Sequence, residues 1–211
     1  MIGVLINRAS PAGGKRLFID GSHADLTKTG GNAVSIHLPF HYSRVSAGHF
    51  NGALALTFEL IRNAETVRLA VMRLRQLLEV IRGHGANRFG LIATSYGGWI
   101  GSILLSLEED FEFAALLQPF ADIENTIWEN PAALTIRSRL RRHLIQPGVT
   151  RQHAHLASPL EASPLIDIDR VYWSQVNMTK SSRWRGWNGG RTLGISSTWK
   201  SLPTAISAMS R

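Results

Sequence analysis

The sequence predicts an α/β protein whose sheet is mostly parallel and covered by flanking helices. Three observations lead there. Residues 89–94 are an apolar run without the alternation of a half-wet strand, the pattern of a strand buried on both faces, and residues 113–117 read as a further strand. Segments with apolar residues at helical spacing lie between such runs, and strands that alternate with helices pair in parallel. The chain has 211 residues, 44% of them hydrophobic, which is enough for one core and too apolar for a disordered chain.

Taken in order, residues 3–6 and 17–19 read as short strands, separated by the turn formers Pro11, Gly13 and Gly14. Residues 33–38 make a better strand, closed by Pro39. The longest regular segment spans 53–82. There Leu56, Leu60, Val67, Leu74, Leu78 and Ile81 recur at helical spacing, with arginines between them, and Gly83 and Gly85 end the run. Asn63 is a candidate break that would divide it into two helices. After the strand at 89–94 come a helix at 99–107, a turn at 108–110 and the strand at 113–117. Residues 132–144 form a basic amphipathic helix ending in R-S-R-L-R-R-H-L.

A first unit thus covers residues 1–169. Residues 170–211 differ in composition: no acidic residue follows Asp169, and Trp173, Trp184, Trp187 and Trp199 stand among Ser, Gly and Arg without either period. Such a tail is not expected to build an ordered core.

The formal net charge is +8, and the tail supplies much of it. One function this suggests is a non-catalytic basic protein binding nucleic acid or another anionic partner. The basic helix would contact phosphates and the tryptophans would stack on bases. A solvated basic face accounts for the same residues without a ligand and is the preferred reading. The absence of cysteine excludes disulfides, zinc–thiolate sites and a cysteine nucleophile. No apolar run approaches the roughly 20 residues that span a bilayer, and M-I-G-V-L-I-N-R lacks the basic start of a signal peptide. A cytoplasmic protein without a membrane partner is expected.

The most informative stretch is L-I-A-T-S-Y-G-G-W-I-G, residues 91–101. An apolar run stops at Ser95, and glycines follow at once. A strand that turns sharply into a helix projects the turn residue above the carboxyl edge of the sheet. Small residues are needed two before and two after it, because strand and helix backbones pass close there. Ala93 and Gly97 occupy those positions, with Gly98 next. The helix start beside Ser95 favours negative charge, and the N–H of Tyr96 would point at a developing oxyanion.

Here the chain resembles the α/β-hydrolase superfamily. A-T-S-Y-G-G is similar to its G-x-S-x-G turn, one methyl larger at the first position. I-H-L-P-F-H-Y-S-R, residues 36–44, is similar to its D-x-P-G-H-G-x-S turn: Leu38, Pro39 and His41 match, while His37, Phe40 and Tyr42 depart. The resemblance covers about residues 33–165. It implies esterase- or peptidase-like acyl transfer through a Ser–His–acid triad, with Ser95 as nucleophile, Tyr96 as oxyanion donor and a small ester or acyl substrate. No cofactor and no metal are expected. His41 is read as a structural or cleft-lining residue. The family also supplies a His-Gly pair after an N-terminal strand, and Asn7-Arg8 stands in its place after residues 3–6.

A serine hydroxyl needs a base, and the base an orienting acid. After Ser95 the histidines are His143, His153 and His155, and the acids considered are Asp122, Asp167 and Asp169. His143 lies on the basic helix, His153 and His155 in what resembles the family's lid or connector, and Asp122 reads as a helix cap. None makes a convincing pair. The family expects one more strand after residue 168, then an acid and a histidine; I-D-I-D-R-V-Y enters that strand and fails. Read from the third base of each codon, Tyr172–Trp173 must encode leucine and Met178–Thr179 aspartate. The neighbouring codons permit L-L-V-A-G-E-Y-D, and residues 203–208 permit H-G-H-I-S. A C-terminally frameshifted hydrolase, incomplete at that end and impaired as written, is the expectation; a genuinely divergent tail is the alternative.

Overall fold

The computed structural model describes residues 2–7, 32–117, 119, 122–154, 157–159, 162–174 and 191–192. The elements are β1 (Ile2–Asn7), β2 (Asn32–Ile36), α1 (Leu60–Gly83), β3 (Arg88–Thr94), α2 (Tyr96–Leu105), β4 (Phe111–Leu117), α3 (Ile123–Glu129), α4 (Leu134–Arg142), α5 (Pro147–Ala154), β5 (Val171–Ser174) and β6 (Arg191–Thr192). The strands form one six-stranded sheet in the order β2-β1-β3-β4-β5-β6. From β3 to β6 the pairing is parallel. β1 runs antiparallel to both of its neighbours. The architecture is α/β, with helices packed on a sheet that is parallel through its centre and antiparallel at one side.

β3 and β4 are covered on both faces, as their unbroken apolar runs require. α2 is almost wholly buried, with Trp99, Ile100, Leu104 and Leu105 at its core. It is apolar on all sides because it sits between the sheet and α1. α1 is amphipathic: Val67, Ala70, Val71, Leu74 and Leu78 face inward. Its far half is held by ions, since Arg75 and Arg82 both donate to the buried carboxylate of Glu108 at 2.6 Å, in the connector after α2.

Several expectations shift. The helix expected at 53–82 begins only at Leu60, and Asn63 does not break it. Instead the Asn63 amide holds the preceding turn, accepting from the Thr57 amide at 2.9 Å and donating to the Thr57 carbonyl at 2.7 Å. A side chain that competes with backbone hydrogen bonding here supports a helix entry. The helix expected at 99–107 starts three residues earlier, because burial outweighs the poor helix propensity of Gly97 and Gly98. α3 was signalled only by the cap reading of Asp122, and α5 was not anticipated; both are short and lack a clean period. The strand at 17–19 lies outside the described residues. Val171 is completely buried and pairs with Ala114, so the sheet continues through Ser174.

Candidate functional site

β3 ends at Thr94, α2 begins at Tyr96, and Ser95 alone makes the turn, with φ 54° and ψ −120°. That is a region L-residues avoid and glycine enters freely. Two hydrogen bonds fix it. The Ser95 N–H donates to the Leu117 carbonyl at the end of β4, 2.8 Å away, and its carbonyl accepts from the Trp99 N–H at 3.1 Å. The residue is partly exposed, and its side chain makes no cap bond to its own helix. The first amides of α2, those of Tyr96, Gly97 and Gly98, have no acceptor within the helix. They lie at its positive end.

Close approach explains the small residues. A Cβ on Gly98 would stand 2.8 Å from the Pro119 Cβ. One on Gly101 would stand 3.1 Å from the Ala93 Cβ, so helix and strand do pass close at Ala93. The pressure on Gly101 was missed in the sequence; its signal is the helical repeat of glycine three residues after Gly98.

The turn at 37–44 forms a wall beside Ser95. Ile36 pairs with Ile2, and Ile2 with Ala93, so the carboxyl end of β2 shares a sheet edge with the end of β3. His41 stacks on Tyr96, ring centroids 5.3 Å apart. Its Nδ1 lies 2.9 Å from the Pro39 carbonyl, which can only accept, so the neutral ring carries its proton there. Burial lowers the pKa of His41 and keeps it neutral. Phe40 and Tyr42 on either side adopt φ of 64° and 51°. Gly52, at φ 79°, donates to the Phe40 carbonyl at 2.8 Å, and a Cβ there would stand 3.1 Å from the His41 Nε2. His41 is therefore packed between Tyr96, the Pro39 carbonyl and Gly52. Tyr96 is buried, edge-on to Trp99, and its hydroxyl has no hydrogen-bond partner among the described residues. Burial raises its pKa.

The remaining groups are elsewhere. Asp122 caps α3, accepting from the Asn125 N–H at 3.0 Å and its side-chain amide at 2.8 Å. Asp167 caps a short 3₁₀ turn by accepting from the Asp169 N–H. His143 stacks on Phe58 at the end of α4. His153 lines a cavity of about 20 Å³ with Leu60, Trp99, Ile127 and Thr150, room for a water and not for an acyl chain. His155 lies outside the described residues. Among the described residues, no hydrogen bond or ion pair links these histidines to an acid or to Ser95. Asn7 pairs with Arg88, at the sheet edge opposite Ser95. The antiparallel course of β1 thus carries its last residue to the other end of the strand from the Ser95 turn.

Three of the four arginines of α4 make contacts within the fold. Arg137 donates to the Trp128 carbonyl at 2.6 Å and the Asn130 carbonyl at 3.1 Å, satisfying the end of α3. Arg139 covers the Phe58 ring and Arg141 the Trp128 ring. Among the described residues, no group of three His, Asp or Glu side chains gathers into a metal site, and no helix is long and apolar enough to cross a membrane. Compared with family models and with curated proteins, the chain has no significant match.

Proposed function

We propose that this chain descends from the serine hydrolases of the α/β-hydrolase superfamily, esterase-like enzymes that cleave small esters by acyl transfer. Ser95 holds the nucleophile position and the Tyr96 amide is the oxyanion donor. One observation supports this above the others: a non-glycine residue at φ 54° and ψ −120°, itself partly exposed, between a buried strand and a buried helix. Strain of that kind persists only where the surroundings enforce it, and it collects at functional turns. Impaired turnover is part of the proposal, because the sequence offers no convincing base and acid after Ser95. What remains is the limited catalysis that binding and an oxyanion donor give over water.

The test begins with the gene. Reading from the third base of codon 171, the expected product is an apolar strand ending in aspartate, followed by a glycine-flanked histidine. A protein expressed in that restored frame should react with a fluorophosphonate at Ser95 and hydrolyse short p-nitrophenyl esters; Ser95→Ala should do neither. Stop codons in the shifted frame, or a folded restored protein inert to the probe, would defeat the proposal.

A further inference from the structure

The basic helix α4 ends in a way its sequence does not lead one to expect. The Ile145 N–H donates to the Leu140 carbonyl at 3.0 Å and the Leu144 N–H to the Arg141 carbonyl at 3.0 Å. These two bonds are the Schellman closure of a helix, and its C′ residue is left-handed and usually glycine. Here that residue is Leu144, at φ 57°. The neighbouring Ile145 packs against the core, as the closure requires, but Leu144 is 87% exposed. A leucine at this point strains the backbone and sets an apolar side chain in water, and the folded monomer gains nothing from either.

The segment itself is basic. Between residues 130 and 160 there is no Asp or Glu, while Arg137, Arg139, Arg141, Arg142 and Arg151 all lie there. Arg139, Arg141, Arg142 and Arg151 are exposed, as are Leu134 and Val149, at 59% and 42%. We propose that the α4–α5 corner docks on the anionic headgroups of a phospholipid bilayer surface, with Leu144 entering the interface and the arginines held by lipid phosphates and carboxylates. The corner would lie on the membrane, not cross it, which departs from the expectation of no membrane partner drawn from the lack of a spanning run. Lipid fits better than nucleic acid. Sites for single-stranded nucleic acid offer aromatic faces for bases to stack on, yet the nearby rings of Phe58 and Trp128 are covered by Arg139 and Arg141. The side chains on offer are aliphatic. This inference is independent of the hydrolase proposal.

Cosedimentation of the full chain with vesicles tests it. Vesicles with about one-third phosphatidylserine should bind the protein, and phosphatidylcholine vesicles should not, with binding falling as salt rises. The pair Arg141→Gln and Arg142→Glu, a loss of three charges, should weaken binding about a hundredfold at roughly fivefold per charge. Leu144→Gly should weaken it about tenfold or more while raising the melting temperature by about 2–4 °C, since glycine relieves the strain. That opposite movement separates docking from folding. Three results would overturn the inference: folded protein that ignores anionic vesicles, vesicle binding indifferent to Leu144→Gly and to the charge changes, or tighter binding to nucleic acid than to vesicles.

Discussion

The imidazole of His41 lies flat against the phenol ring of Tyr96, with centroids 5.3 Å apart and planes 21° from parallel. The contact joins the turn after β2 to the first residue of α2, and so braces the backbone beside Ser95. His41→Ala should cost about 1 kcal/mol of stability from the lost ring pair alone. The pH dependence has a definite sign. Burial holds the native pKa of His41 below its ordinary 6.5, so the unfolded chain binds the proton more readily. Stability is full above pH 6.5 and falls as pH drops from there toward the lower native value. His41→Phe keeps a ring but cannot titrate, so its melting curves should lose that part of the slope. Equal slopes in the two proteins would remove the assignment.

Ser95 should be replaceable by glycine with a gain in stability. Its φ of 54° costs a side chain what it does not cost glycine. Ser95→Gly should be more stable than Ser95→Ala by about 1 kcal/mol, after the greater freedom of glycine in the unfolded chain is counted. Thermal melts of both variants decide this; a glycine variant less stable than the alanine one would show that the turn is relaxed.

Gly98→Ala should destabilise by about 1–3 kcal/mol, because the new methyl meets both Cα and Cβ of Pro119 within 2.9 Å. Gly148→Ala is the control. A Cβ there meets nothing within 4 Å, and a helical alanine should stabilise slightly. Denaturant titrations of the two variants should move in opposite directions.

Two buried carboxylates should respond to pH with opposite signs. Burial alone would raise the pKa of Glu108, but the hydrogen bonds and charges of Arg75 and Arg82 outweigh it and the net shift is downward. Its stabilisation is present above pH 4.5 and is lost as pH falls through the lower native value. Glu108→Gln should cost about 2 kcal/mol at neutral pH, less than a fully buried pair would, because Arg75 is half exposed. Burial raises the pKa of Glu124, against the hydrogen bond from Thr150, and its second oxygen has no partner among the described residues. That carboxyl favours the fold when protonated, so its contribution is full below pH 4.5 and declines as pH rises through the higher native value. Glu124→Gln should therefore stabilise at neutral pH and change little in acid. The idea fails if the two glutamine variants shift the same way at neutral pH.

The one-dimensional pattern determined the α/β class, the strands at β3 and β4, the strand-to-helix turn at Ser95 and the capping role of Asp122. Each follows from local chemistry: an apolar run without alternation is buried on both faces, small residues permit a tight crossing, and an aspartate before a helix accepts its free amides. Tertiary structure alone decided the direction of β1, since a short apolar strand pairs either way until its neighbours are fixed. It also set the start of α1 at Leu60, where the Asn63 amide holds the preceding turn, and the start of α2 at Tyr96, where burial overrides two glycines. The His41–Tyr96 stack and the glycine-like posture of Leu144 belong to the same category. Both depend on which chemical groups meet across the fold, and spacing along the chain carries no record of that.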